Sequence, residues 1–398
     1  MPMRRLFGFS KKAYNFYKTE GSSAFFRLTY LYLRDFFGFL FAKGDVLYIS
    51  GCPGGSMKYR CFNLAEELRS YGIRTKVITS SCPYLRLLTS RFNIFIFHRV
   101  IHDKYVSLVI DDIKMKHKTI IFEIDDLVYD PKYVPYLDYY RHMGKEEKRW
   151  YENGIGREIL SDPYVETCTV STDFLAKAIN NDHPTKKVFI LRNKLAMDQI
   201  KYADMVFSKR NEIKPKDGKI RIGYFSGSKS HDRDFGSISD ILFEILKKNK
   251  NVVLMIVGFL TPDKKFTEIK GQIECHSFVS IKKLPELIMR SDINIAPLEI
   301  DNPFCNAKSE LKFFEAGILE IPTVASSTDA FRYAINDGVN GFLAFNKHQW
   351  KVGIERLIED KERRESIGKQ ARLDTLKRHT VVGKHPETEL FVEFLHSL

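Results

Sequence analysis

Residues 45–79, DVLYISGCPGGSMKYRCFNLAEELRSYGIRTKVIT, read as a strand, a glycine-rich turn, a helical stretch and a second strand. The run 45–50 is short and β-rich. Tyr59, Phe62, Leu64, Ala65 and Leu68 then recur at three- and four-residue spacing, and the pattern stops near Gly72. Outward from this unit the rhythm repeats. Strand-like runs stand at 93–100, 119–126, 167–171 and 187–193, with helical stretches between them. After the polar segment SKRNEIKPKDGK it resumes at 219–227, 251–258, 272–279, 292–298 and 321–327, and further helices run to the end. Strands alternating with helices predict βαβ units and a mostly parallel sheet covered on both faces.

The predicted fold is therefore α/β: two tandem doubly wound Rossmann-like domains with a cleft between them. The expected division is a basic extension at 1–44, a first domain at 45–207, a linker at 208–218 and a second domain at 219–380. A C-terminal helix at 381–398 is placed to cross back to the first domain. The segment 127–165, rich in Tyr, Pro and charge, breaks the alternation and is expected to carry a helix near 144–160. In such sheets ligands bind outside the carboxyl ends of the strands.

The chain has 398 residues, enough for two domains of ordinary size. Its 63 Lys+Arg against 50 Asp+Glu give a net charge of +13, which points to anionic partners. Six cysteines without C-x-x-C spacing exclude a zinc-ligand cluster and a disulfide framework. A reducing cytoplasm is the expected setting. Charges interrupt the start of the chain, so no secretory signal is expected. Residues 24–42, AFFRLTYLYLRDFFGFLFA, are long enough to span a bilayer, but Arg27, Arg34 and Asp35 make that costly. An amphipathic helix fits better. Residues 1–44 hold eight Lys/Arg against Glu20 and Asp35, a net of +6. Basic charge beside aromatics suits an anionic membrane surface; docking on the protein's own domain is the competing reading.

Four segments carry candidate chemistry. GCPGGS at 51–56 leaves a strand and opens a helix, so Gly54 and Gly55 offer backbone N–H groups to an anion, with Arg60 adding a charge. It lacks the spacing of a P-loop or of G-x-G-x-x-G. SGSKSHDRDF at 226–235 does the same: Gly227 lets backbone approach a ligand, Ser228 offers a hydroxyl, and Arg233 a cation. In NAKSELKFFEAG at 306–317, Ser309 reads as an N-cap, with Lys308 at the anion-favouring end of the helix. Glu315 lies on that helix beside a small Ala-Gly pair, and Lys312 reads as its partner on an exposed face. At 123–126, Asp125 and Asp126 end a strand and can bind a hydroxyl or take its proton, and Arg99 ends another strand of the same domain.

IGYFSGSKSHDRDF, DINIAPLEIDNPFCNAKSELKFFEAGILEIPTVAS and INDGVNGFLA together resemble the donor-binding domain of GT-B glycosyltransferases of the family 4 type, above all bacterial enzymes of capsule and O-antigen synthesis. The resemblance covers roughly 219–345, and the first half is similar more loosely. It implies a nucleoside-diphosphate sugar held in the second domain. Glu315 matches the glutamate that binds the ribose hydroxyls, and Arg233 the basic residue at the diphosphate. Gly227 matches the strand-end glycine. Phe278 and Val279 end a loop like the one that meets the nucleobase. Two departures stand out. Ala307 replaces a second glutamate eight residues before Glu315, and Ser228 replaces a basic residue after the glycine. Lys308 and Ser309, beside the first vacancy, are expected to supply charge and a hydrogen bond to the diphosphate.

The resemblance implies transfer to a saccharide acceptor, lipid-linked or polymeric, in bacterial surface polysaccharide synthesis, on the cytoplasmic side and peripheral to the inner membrane. No cofactor and no metal are expected. Asp125 or Asp126 is the expected base if transfer inverts. A nucleotide-sugar epimerase or phosphorylase on the same fold is the alternative enzyme. A nucleic-acid binder is disfavoured, because no RNA-recognition signature or helix-turn-helix pattern appears. The oligomeric state stays open.

Overall fold

The computed structural model describes residues 43–52, 54–227 and 232–398. The helix expected at 24–42 and the contact expected of Ser228 lie outside the described residues.

Each half of the chain builds a six-stranded parallel sheet. The first holds β1 (Val46–Ser50), β2 (Thr75–Thr79), β3 (Ile94–His98), β4 (Thr119–Ile124), β5 (Thr167–Val170) and β6 (Lys187–Ile190), in the order β2-β1-β3-β4-β5-β6. The second holds β7 (Ile220–Ser226), β8 (Val252–Gly258), β9 (Ile273–His276), β10 (Ile293–Ala296), β11 (Thr323–Ser326) and β12 (Phe342–Ala344), in the order β12-β11-β10-β7-β8-β9. The central strands VLYIS and IFIFH are buried along their whole length, as strands covered on both faces must be. The short β12 was not expected from the sequence.

Both orders reverse direction once, between β1 and β3 in the first sheet and between β7 and β10 in the second. At such a switch point neighbouring loops diverge and leave a crevice at the strand ends. The loops after these four strands face each other across the cleft.

The domain boundary falls earlier than the polar stretch 208–218 suggests. Leu195 and Thr380 pair in an isolated parallel bridge, where two passes of the chain lie side by side. Helix Met197–Ser208 packs Ile200, Ala203 and Val206 into the core of the second lobe, with Met255 and Phe313. The polar stretch includes a further turn of helix, Arg210–Ile213, with no fully buried residue, although Ile213 packs half-buried against that core. Helix Pro386–His396 returns to the first lobe and packs Phe391, Val392 and Leu395 with Val46, Tyr48 and Leu64.

The segment 127–165 forms short 3-10 turns and two helices, Lys145–Asn153 and Arg157–Ser161. Gly154 and Gly156 between them take φ of 80° and 79°, which breaks the single helix expected there. The segment reaches across the cleft, where Asn302 Nδ2 donates to Tyr136 O at 3.2 Å. No helix among the described residues is long and apolar enough to cross a membrane.

Candidate active site in the interlobe cleft

A cavity of about 700 Å³ lies between the facing strand ends. The first lobe lines it with Gly55, Ser56 and Tyr59 after β1, Arg99 after β3, and Asp125 and Asp126 after β4. Tyr139, Met143 and Tyr151 of the inserted segment add an apolar, aromatic wall. Gly227, Phe278, Val279, Lys308, Ser309, Lys312 and Glu315 line the second-lobe side.

β4 ends at Ile124, so Asp125 and Asp126 are not bound to opposite faces of a sheet. Both reach Arg99: its Nε is 2.5 Å from Asp125 Oδ1 and its Nη2 2.5 Å from Asp126 Oδ2. Arg99 takes φ 47°, an unusual left-handed conformation for this residue type. Gly51 permits it, since a Cβ there would lie 2.2 Å from Arg99 O. Asp125 also accepts from Ser56 Oγ at 2.6 Å, and His98 Nε2 stands 3.4 Å from its other oxygen. Burial opposes its ionisation, but Arg99, His98 and Ser56 hold its carboxyl well below the usual range. A carboxylate so held is a weak base. Burial instead pushes Asp126 up; Arg99 and Lys308 draw it down, and the Asp125 charge adds to the rise. Of the pair, Asp126 is the better proton acceptor.

Two expected cations are committed elsewhere. Arg99 is shared between two carboxylates and is no free anion site. Arg60 is fully buried and does not line the cavity. Its Nε and Nη2 donate to Glu123 at 2.8 and 3.1 Å, and its Nη1 donates to Leu191 O and Asn193 Oδ1 at 2.5 and 3.0 Å. It sits on a π turn, Lys58–Asn63, between helices Gly55–Met57 and Leu64–Ser70. The widened turn shifts the register and sends Arg60 under the sheet. Gly54 takes φ 105° in the preceding turn, and Gly55 brings the backbone to the cavity wall.

In the second lobe a Cβ at Gly227 would meet nothing within 4 Å, so a ligand has room there. Arg233 is absent from the cavity wall among the described residues. Its Nε pairs with Asp138 Oδ1 of the inserted segment at 3.0 Å, at the rim. Lys308 does line the cavity, with Nζ 3.5 Å from Asp234 Oδ2. Ser309 is not the N-cap; Glu310 holds that position, and the Ser309 hydroxyl accepts from Asn193 Nδ2 across the cleft at 2.8 Å. Phe278 is exposed and stacks on Phe259, centroids 5.0 Å apart, with Val279 beside it on the cavity wall. Glu315 Oε1 accepts from Tyr59 Oη at 2.6 Å. Burial pushes Glu315 up to about 7, against that hydrogen bond and the Lys312 charge.

One group among the described residues converges as metal ligands would: Asp234, Glu299 and Cys305, with atoms within 4.8 Å of one another. The Cys305 thiol donates to Asp234 Oδ1 at 3.2 Å, and burial pushes it up to about 12. A protonated thiol and the adjacent Lys308 ammonium make this an internal partner for Lys308, a poor cage for a cation.

Residues 222–374 match the family model for glycosyl transferases group 1. The second lobe is a group 1 glycosyltransferase domain. No curated protein matches the sequence. Among solved structures, HepE of Anabaena in complex with UDP-glucose is 16% identical with a TM-score of 0.58, covering 89% of this chain and 100% of its own. A glycosyltransferase from Rickettsia africae is 12% identical with a TM-score of 0.59, covering 90% and 99%. WaaG, a glycosyltransferase involved in lipopolysaccharide biosynthesis, is 14% identical with a TM-score of 0.56, covering 88% and 99%. The two-lobed arrangement is the GT-B fold.

Three residues of the glycosyltransferase's cleft were not singled out as site residues in the sequence: Tyr59, Asn193 and Lys312. Lys312 lies one turn before Glu315, on the same face, which is the cavity face and not the solvent face. Its Nζ is buried with no hydrogen-bond partner among the described residues and stands 4.6 Å above the Tyr224 ring. Asn193 carried no signal beyond its place in FILRN at the end of the last first-lobe strand.

Proposed function

We propose that this glycosyltransferase moves a sugar from a nucleoside-diphosphate sugar to a hydroxyl of a saccharide acceptor. The observation that carries the reading is one cavity with Lys308, Lys312 and Glu315 on its second-lobe wall and Asp126 opposite. Glu315 receives the ribose hydroxyls, and Phe278 and Val279 meet the base. Lys308 and Lys312 receive the diphosphate. The bond from the anomeric carbon to the diphosphate breaks, and the nucleoside diphosphate leaves with the electron pair. The bond to the acceptor oxygen forms and, with transfer inverting, Asp126 takes the acceptor's proton. Two ammonium groups in a half-closed cleft stabilise the leaving charge, and no metal is required in this scheme. HepE, crystallised with UDP-glucose and with UDP, supports a nucleotide-sugar donor.

A thermal-shift panel of UDP-, GDP-, dTDP- and CMP-sugars tests it. One class should raise the melting temperature, by about 2.7 kcal/mol of stabilisation at a hundredfold excess over Kd. Glu315→Ala should abolish the shift. Asp126→Asn should keep it and lose about 100-fold or more in transfer rate. A panel with no shift in the unmodified protein rejects the reading.

The finer reading places the acceptor on a lipid carrier or growing polymer in bacterial surface polysaccharide synthesis of the capsule or lipopolysaccharide type. The enzyme then works on the cytoplasmic side, peripheral to the inner membrane, with residues 1–44 against anionic lipid. Their net +6 supports this. Removal of residues 1–43 should release the protein from phosphatidylglycerol vesicles in a flotation assay. Undiminished flotation would refute that role.

A further inference from the structure

Tyr59 belongs to the first lobe, yet its ring lies in the core of the second. It is 3% exposed and meets Phe314 edge-on, with centroids 6.2 Å apart. Its hydroxyl is 2.6 Å from Glu315 Oε1. The direction of that bond is set behind it. Gln199 Oε1 accepts from Asn63 Nδ2 at 2.7 Å and from the Ala196 backbone N–H at 3.1 Å. With its oxygen committed to two donors, the Gln199 amide turns its nitrogen to Tyr59, and Nε2 donates to the phenol oxygen at 3.1 Å. An amide N–H only donates, so the phenolic hydrogen goes to Glu315.

We propose that Tyr59, aimed by Gln199 and Asn63, is a positioning residue that holds the Glu315 carboxylate ionised and oriented for the donor ribose. The proposal rests on the assignment of Glu315 to the ribose. A ribose hydroxyl donates far more strongly to an ionised carboxylate than to a protonated one, and burial works against ionisation. A donor fixed in direction by the relay favours the charged form and costs no reorganisation when the nucleotide arrives. The relay also joins the lobes. Gln199 stands at the start of the first second-lobe helix, and Asn63 Nδ2 donates as well to Lys194 O in the crossing segment at 2.7 Å. The carboxylate is thus aimed only when the lobes are together.

Calorimetric titration with UDP and with GDP between pH 6 and 9 tests this in the full-length protein and in Tyr59→Phe, Gln199→Leu and Glu315→Gln. In the unmodified protein, affinity attributable to Glu315 is absent when the carboxyl is protonated and grows as pH rises through about 7. Removing the phenol hydroxyl removes a bond to the charged form, so the midpoint moves up. A rise of about one pH unit makes the loss in Tyr59→Phe about tenfold larger below both midpoints than above them, where the remaining loss is that of orientation alone. Taking the ratio to the unmodified protein cancels the titrations of the diphosphate and Lys312. Gln199→Leu should move the midpoint the same way by less. A pH-independent loss in Tyr59→Phe, or no loss, overturns the proposal. Glu315→Gln should bind more weakly than the unmodified protein by a factor that grows as pH rises through about 7 and levels off above it. If it binds as well as the unmodified protein, the ribose assignment falls; if only Tyr59→Phe is silent, the assignment stands and Tyr59 falls alone. If neither UDP nor GDP binds, the titration is repeated with dTDP and CMP, and binding of none of the four to the unmodified protein overturns both.

Discussion

Lys312→Met is expected to lower kcat/KM for the donor by about 100-fold or more, and to raise the melting temperature slightly. The two effects have one cause. The Lys312 ammonium is buried, lines the cavity and has no hydrogen-bond partner among the described residues. Burial pulls it down to about 8. A buried charge left without hydrogen bonds is costly, and exchange for a thioether of similar length relieves that cost. On the proposed function, what is lost is a cavity-wall cation that receives the diphosphate as its bond to the sugar breaks. Removal of one such donor typically costs about 10²–10³ in rate. Equal losses of stability and rate would instead mark Lys312 as a packing residue. The pH profile is a second check. Glu315 must be ionised and is pushed up to about 7, while Lys312 must be protonated and is pulled down to about 8. The kcat/KM profile should therefore rise through about 7 and fall through about 8, giving a narrow bell whose limbs belong to the coupled pair. Lys312→Arg keeps its charge at all these pH values and should extend the falling limb upward.

The fold was largely legible because parallel strands buried on both faces leave short apolar runs that helices must separate. Only β12 was missed, because its apolar run, Phe342–Ala344, is just three residues long. A place on the cavity wall was legible where it follows from a strand end, as with Gly227, or from a motif, as with Glu315. It was not legible where the role depends on which way a helix faces. The three-residue spacing puts Lys312 and Glu315 on one face, but only the packed lobe turns that face to the cavity. The π turn at Lys58–Asn63 adds a residue to one turn of helix, and no periodicity reveals it. Through it Tyr59 reaches the second lobe and Arg60 leaves the cavity. The domain boundary was misplaced for a related reason: a polar stretch marks exposure, and exposed surface need not be a hinge. Arg233, Asp125 and Arg99 all lie where a strand-end charge was expected. Each turned out to be held by an opposite charge from another loop, and such partners are remote in sequence.

The largest expected effect on stability comes from the residue that moved furthest from its anticipated place. Arg60→Met should destabilise the protein by about 3–5 kcal/mol, read as a lower urea midpoint. Arg60 and Glu123 are both completely buried, and Thr169 Oγ1 also donates to Glu123. Removing the guanidinium strands a carboxylate that burial already pushes up. Against a total stability of roughly 5–15 kcal/mol, that loss is severe. Arg60→Met with Glu123→Gln should recover most of it, because a neutral amide needs no counter-charge and can keep the Thr169 bond. The non-additivity of this cycle separates the cost of the stranded charge from the cost of the lost side chain. Activity should recover less. The third edge of the guanidinium holds Leu191 O and Asn193 Oδ1, and Asn193 Nδ2 in turn reaches Ser309 across the cleft. Without Arg60 the cleft loses the brace behind Asn193 even when the charge is balanced. A double variant as stable as the original but slower in transfer would place Arg60 in the support of the cleft. One restored in both would confine its role to the core.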